Sequence, residues 1–342
     1  MRSAKLPRVG IVIANHNNAA YVAEAIGSAA YQTVRNLEIV IVDDASTDNS
    51  DEVIRETLTQ MADARLRYIR LDANYGQAGA IRHGIDALGS SEFVCFLDSD
   101  DVWHDNFIER HLAAHLNADF PVGFTYCDCH FINAESELLA GTAWWFERPP
   151  ADAPHRLVIS DTVPAFDAAK ASANYPPNPA MTLHAEWSPS WSSNSTASMM
   201  FRRSVLKLIM PSVDEYARLY LDFYLSTFCV LMFGGIAIHE ALYSYRMHGK
   251  NKHSNAEVLG GTFQTSSKDW GTISQDIMEK ILTVMLEREA ALTRAIGADH
   301  YARGVLQLNK ALAKDRRRIF SFSWDSLAKA IARTLRPGVR QY

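Results

Sequence analysis

FVCFLDSDDVW, residues 93–103, joins a strand-like run to a cluster of acids. A mostly apolar run, Phe93–Leu97, leads straight into Asp98, Asp100 and Asp101. Such a run reads as a buried strand. Three carboxylates within four positions repel one another, and partial burial increases the repulsion. The stretch therefore predicts a strand whose end opens onto water or a positive group.

Working outward, RVGIVIA (8–14), LEIVIVDD (37–44) and LRYIRLD (66–72) read as three further strands. Between them, 19–32, STDNSDEVIRETLTQMA (46–62) and GQAGAIRHGIDAL (76–88) carry helical spacing, and NFIERHLAAHL (106–116) follows the fourth strand. Ser46 or Thr47 is the expected cap of the second helix, with acids in its first turn. Strands alternating with helices predict an α/β fold of right-handed βαβ units around a mostly parallel sheet. Ligands of such sheets bind beyond the carboxyl ends of the strands. Asp43 and Asp44 end the second strand and Asp98, Ser99 and Asp100 the fourth, so both acid clusters face one crevice. If 98–100 is extended, Asp98 and Asp100 point to one side. Paired hard oxygen ligands there suit Mg2+ or Mn2+ with positions left for phosphate oxygens.

Taken together, these segments resemble the family 2 glycosyltransferases of the GT-A fold, a Rossmann-like sheet with flanking helices. VGIVIANHNNAAYVAEAIGSAAYQTVRNLEIVIVDDASTDNS resembles the family's opening strand–helix–strand, NYGQAGAIRHGI its arginine-bearing helix and FLDSDD its D-x-D. The likeness is dense over about residues 8–115 and returns over 192–254. It implies a nucleotide-sugar donor, most often a UDP-sugar, a divalent metal and an inverting single displacement. By position, Asp44 would contact the base, Asp98 the ribose and Asp100 the metal. Arg82 would lie near the base or diphosphate; on position alone a solvated helix residue is an equal reading. Ala14, Asn15, Asn17, Asp43 and Ser99 complete the implied donor site. The family often has P-x-Y-N where this chain has Ala14-Asn15-His16-Asn17, so contacts there are expected through backbone, with His16 in a packing or hydrogen-bonding role.

The acceptor half is sparser. An inverting transferase needs a base for the acceptor hydroxyl. SMMFRRSVLKL reads as a strand entering a helix, and Asp222, an acid amid apolar residues in YLDFYL, is the expected base, with Asp214 and Glu215 as rivals. In YSYRMHGKNKHSN (243–255), His248 is a candidate metal ligand, and Arg246 and Lys250 could neutralise phosphate. Residues 141–191 break the pattern as a Pro- and Trp-rich insertion. Among its Trp144, Trp145, Trp187 and Trp191, one or two are expected to meet the acceptor, Trp187 and Trp191 being the candidates; the alternative is anchoring to the core.

The totals agree with a globular enzyme. The chain has 342 residues, 48% hydrophobic, and a formal charge of −5, which argues against nucleic acid as a partner. Cys95, Cys127, Cys129 and Cys229 lie in apolar surroundings and read as reduced core residues. Cys127, Cys129 and His130 lack zinc-site spacing, and FTYCDCHFI reads as a strand. No signal peptide is expected in MRSAKLPRVGIVIANHN, and the longest apolar stretch, 228–238, is too short to span a bilayer. A cytoplasmic protein is expected, soluble or peripheral at the inner membrane face. The expected organisation is a catalytic domain over 1–255, with a donor half at 1–120 and an acceptor half at 121–255, then a helical extension over 256–342. The basic, aromatic tail 316–340 suits either an anionic membrane surface or a homodimer contact. The leading expectation is a metal-dependent transferase acting on a glycan or lipid-linked acceptor in surface polysaccharide synthesis. A non-catalytic nucleotide-sugar-binding scaffold is the alternative. A sugar nucleotidyltransferase ranks lower, because ANHNNAAYV lacks a glycine-rich basic phosphate loop.

Overall fold

A computed structural model describes residues 6–118, 122–141, 181–187, 195–211, 220–251 and 270–313. The apolar runs of the first half become parallel neighbours: β1 (Val9–Asn15), β2 (Leu37–Asp43), β3 (Leu66–Arg70) and β4 (Phe93–Asp98). Helices α1 (Val22–Ala30), α2 (Ser50–Met61) and α3 (Gly76–Ala87) supply the crossovers. β2 and β4 flank β1, and β3 lies beyond β2. The winding therefore reverses between β1 and β4, where Ala14 pairs with Asp98. That switch point is where an open α/β sheet forms its ligand crevice.

The second half extends the sheet with mixed pairings. It comprises β5 (Val102–Trp103), α4 (Phe107–Asn117), β6 (Phe124–Asn133), β7 (Leu138–Ala140) and β8 (Met181–His184). Then come β9 (Met199–Arg202), α5 (Arg203–Ile209), α6 (Leu221–Phe233) and β10 (Gly235–Met247). The strand order is β3-β2-β1-β4-β9-β6-β10-β5, with β7 beside β6 and β8 beside β10. β9 runs antiparallel between β4 and β6. The expected strand at FTYCDCHFI is β6, and the expected strand-to-helix entry is β9 followed by α5. All four cysteines are buried.

Period-two alternation sends the strand side chains to two cores. Val12, Val40, Val42, Val94 and Phe96 face the side covered by α3, α5 and α6. Ile11, Ile13, Ile39, Ile41, Cys95 and Leu97 face α1, α2 and α4. α6 is buried along nearly its whole length, from Leu221 to Met232, because further helices cover its outer side. These are α7 (Trp270–Glu287), α8 (Glu289–Ile296) and α9 (Ala298–Ala313). Ile281, Met285, Leu292, Tyr301 and Val305 from this trio share one core with Phe228 of α6. The expected helical extension is thus an outer layer of the same fold. The expected boundary at 255 and the basic tail lie outside the described residues.

Two local expectations are corrected. α2 begins at Ser50 with Asn49 before it, so neither Ser46 nor Thr47 caps it. Asp48 supplies the entry bond instead, its Oδ1 accepting from Ser50 N at 3.0 Å, while Ser46 is drawn back to Asp43. The segment 98–100 is a turn and not extended chain: Asp101 N donates to Asp98 O at 3.1 Å.

Candidate active site

The turn after β4 gathers the acids. Asp98 is pushed up to about 7, first by burial and then by the negative charges of Asp100 and Asp222. The amide of Gln77, from the first turn of α3, donates to Asp98 Oδ1 and opposes that rise. Asp222 stands in the first turn of α6, where its Oδ1 accepts from Phe223 N at 2.8 Å. Asp98 and Asp222, 124 positions apart in the chain, thereby lie close enough for the charge of one to raise the other.

Asp100 meets the end of β10. His248 Nε2 lies 3.0 Å from Asp100 Oδ2. The turn that carries His248 is closed by Asn251, which accepts from His248 N at 2.8 Å and donates to Arg246 O at 2.7 Å. A carboxylate and an imidazole at this separation fit a divalent cation such as Mn2+, whose other positions diphosphate oxygens or water would take. Among the described residues no group of three or more His, Cys, Asp or Glu is placed to hold a metal ion.

The third carboxylate, Asp101, is buried and turned inward. Its Oδ1 accepts from Arg246 N at 3.0 Å, and burial with the nearby Asp100 and Asp98 charges pushes it well above the usual range. Arg246 is itself fully buried. Its Nε donates to Asp100 O at 2.8 Å and its Nη2 to Glu24 Oε2 at 2.6 Å. This corrects the phosphate-neutralising expectation for Arg246, because a guanidinium occupied this way inside the protein does not reach solvent phosphate. Lys250 is exposed in the following loop.

At the neighbouring strand ends, the donor-site expectation divides. Asp44 Oδ1 accepts from Tyr75 N at 2.7 Å, at the start of α3, and burial raises its carboxyl. His16 Nδ1 donates to the Asp44 carbonyl at 2.8 Å, and its Nε2 accepts from Asn74 Nδ2 at 3.1 Å, the hydrogen-bonding role expected of it. Asn17 adopts a left-handed conformation (φ 58°), and its Oδ1 accepts from Thr47 N at 2.7 Å. Ala45 is also left-handed (φ 52°), so both loops bend sharply at the crevice edge. Ala14 is partly buried beside the α3-side core. Arg82 pairs with Asp86 along α3 at 2.8 Å.

Three side chains of the expected donor site turn inward. Asp43 is 0% exposed and Asn15 1% exposed; Asn15 Nδ2 donates to Asp43 Oδ1 at 2.8 Å and to Ser46 Oγ at 3.2 Å. Ser99 is likewise buried, with its Oγ accepting from Asn18 at 3.0 Å. Their side chains brace the loops beneath the crevice and do not line it. Trp187 is also corrected: it is 6% exposed in the α6-side core, an anchor and not an acceptor face. Trp144, Trp145, Trp191, Asp214 and Glu215 lie outside the described residues.

Sequence reading missed Gln77, Asn251, Tyr21 and Glu24. Gln77 lies inside the quoted NYGQAGAIRHGI stretch, one residue after the glycine that opens α3, which was its signal. Glu24 reads as an ordinary acid in the first turn of a helix, and nothing local ties it to Arg246.

Comparison with known proteins adds the family. A profile described as Glycosyl transferase family 2 matches residues 10–209. An uncharacterized glycosyltransferase of Nostoc sp. is 29% identical over 250 residues, covering 73% of this chain and 67% of its own. The Escherichia coli UDP-Glc:alpha-D-GlcNAc-diphosphoundecaprenol beta-1,3-glucosyltransferase is 30% identical over 128 residues, covering 37% of this chain and 48% of its own. The solved structure of Staphylococcus aureus TarS 1-349 aligns with TM-score 0.49 and 15% identity over 96% of this chain and 78% of that one. No helix among the described residues is long and apolar enough to cross a membrane. The strand order, with the acids at its switch point, and a family match over more than half the sequence agree: the chain is a glycosyltransferase of family 2, with the GT-A fold.

Proposed function

We propose that the protein is a metal-dependent, inverting glycosyltransferase that moves a sugar from a nucleoside-diphosphate donor, a UDP-sugar, to a glycan or lipid-linked acceptor. The observation that carries this reading is the meeting of Asp100, on the turn that follows the switch-point strand β4, with His248, just past the end of β10, 3.0 Å apart. The E. coli relative, whose name specifies UDP-Glc and a diphosphoundecaprenol acceptor, supports the donor and acceptor classes. So does a Bacillus subtilis relative, 28% identical over 119 residues, named as a putative teichuronic acid biosynthesis glycosyltransferase.

In this reading Asp44 and the bent loop at Asn17 receive the nucleoside, with Asp98 at the ribose and Arg82 beside the donor. Asp100 and His248 would hold the cation. A bound divalent cation supplies Lewis-acid stabilisation of the charge that grows on the departing diphosphate. Asp222 takes the proton of the acceptor hydroxyl as its oxygen forms a bond to the anomeric carbon. The bond from that carbon to the diphosphate oxygen breaks on the opposite face, so the configuration inverts. Burial of α6 fixes the first turn from which Asp222 projects.

The test is Asp222→Asn. Donor affinity is expected to stay within twofold, while transfer falls by about 10²- to 10⁴-fold. Wild-type turnover in that variant removes Asp222 as the base.

A further inference from the structure

We infer that Arg246 is a positioning residue that, through Glu24 and Tyr21 of the first βα unit, holds Asp100 and His248 in register for the cation; this rests on the metal-site reading above. Arg246 lies two residues before His248, at the end of β10. Its backbone N–H fixes the Asp101 carboxylate and its Nε fixes the carbonyl of Asp100, so one residue grips the acidic turn at two successive positions. Its Nη1 donates to Ser136 Oγ at 2.8 Å and to Asn133 O at 3.2 Å, at the turn after β6. Its Nη2 is ion-paired with Glu24, which lies 222 positions away in α1.

Tyr21 completes the arrangement. The Arg246 guanidinium carbon lies 4.8 Å from the centre of the Tyr21 ring, and the His248 ring centre lies 5.0 Å from it. Tyr21 is therefore flanked by the anchor and by the imidazole that faces Asp100. A guanidinium stacks on an aromatic face and fills a fork of acceptors in fixed directions, which a lysine cannot do. Groups behind metal ligands set ligand orientation, and their loss commonly weakens metal binding by about 10- to 100-fold. The preset separation of Asp100 and His248 has its physical cause here: the turn and the strand end are bonded to one side chain.

Glu24 provides a mild perturbation because its side chain is 47% exposed and lies outside the crevice. The experiment is Mn2+ titration of the full chain with UDP present, followed by the electron paramagnetic resonance signal of free Mn2+. UDP affinity without metal is measured by calorimetry alongside. Wild type, Glu24→Gln, Arg246→Lys and Asp100→Ala are compared, with thermal melts to establish folding. Arg246→Lys and Glu24→Gln are each expected to weaken Mn2+ binding, by on the order of 10-fold for the lysine variant. Metal-free UDP affinity is expected to stay within twofold, which a general loss of structure would not allow. Folded Glu24→Gln with wild-type Mn2+ affinity overturns the inference, and that variant decides the matter if Arg246→Lys does not fold. If Asp100→Ala also keeps wild-type Mn2+ affinity, the metal-site reading falls together with it. If Asp100→Ala loses Mn2+ while Glu24→Gln and Arg246→Lys keep it, the positioning role alone falls.

Discussion

Removing the charge of Asp98 is expected to stabilise the metal-free protein in a pH-dependent way. In the unfolded chain Asp98 titrates at the ordinary carboxyl value of 3.8; in the folded protein burial, Asp100 and Asp222 raise it to about 7. The folded state therefore binds this proton more tightly than the unfolded state. Linkage then makes stability fall as pH rises between those two values, with no penalty below the lower one and the full penalty above the higher. The rise corresponds to about 4 kcal/mol in favour of the protonated folded form. Asp98 is partly solvent-exposed, so screening reduces that figure. About 2 kcal/mol of this develops between pH 5 and pH 8. Asp98→Asn keeps an acceptor for Gln77 and removes the titration. Urea unfolding in EDTA at pH 5, 6, 7 and 8 measures the difference. The variant's midpoint should lead the wild type's at pH 8, and the lead should shrink steadily toward pH 5. A lead that does not change with pH, or a less stable variant at pH 8, refutes the electrostatic picture of the crevice.

The buried histidines act in the opposite direction. Burial lowers His104 and His115 to about 3 and His130 to about 4, so each favours the fold as a neutral ring. Their contribution is complete above the unfolded value near 6.5 and is lost as pH falls toward the folded values. The melting temperature should drop as pH falls from 6.5 to 4.5, and His104→Gln should flatten that limb; an unchanged slope in the variant counts against the assignment. For Trp187→Ala, removing a ring buried in the α6-side core should cost about 3–5 kcal/mol, read as a lowered melting temperature. Wild-type stability together with a raised acceptor KM would return Trp187 to the acceptor site.

The parts of the fold legible in the sequence were those with local causes. Val9–Asn15, Leu37–Asp43 and Phe93–Asp98 carry continuous apolar runs because both faces of the strands are covered, and the acids mark where cover ends. The meeting of Asp100 and His248 was foreshadowed because each stands in a motif of its own, though 148 positions separate them. The roles of Asp43, Ser99 and Arg246 were not. An acid at a strand end has the same sequence appearance whether it faces the crevice, as Asp98 does, or the interior, as Asp43 does; register with Asn15 and Ser46 decides it. Arg246 reads as a phosphate ligand until Glu24 and the Asp100 carbonyl are found on its guanidinium. Trp187 belongs to a stretch without periodicity, where burial has no sequence signature.

If Asp100 and His248 present a cation to a nucleoside diphosphate held at Asp44 and Asp98, nucleotide and metal must stabilise the fold together. The decisive experiment is thermal melting with UDP, GDP, ADP and CDP, each with and without Mn2+. A ligand that binds only the folded state stabilises by about 2.7 kcal/mol at a hundredfold excess over Kd. A rise in melting temperature with UDP that requires Mn2+ and is small with the other bases is the predicted result. No rise with any nucleoside diphosphate, in the presence or absence of Mn2+, would contradict the account.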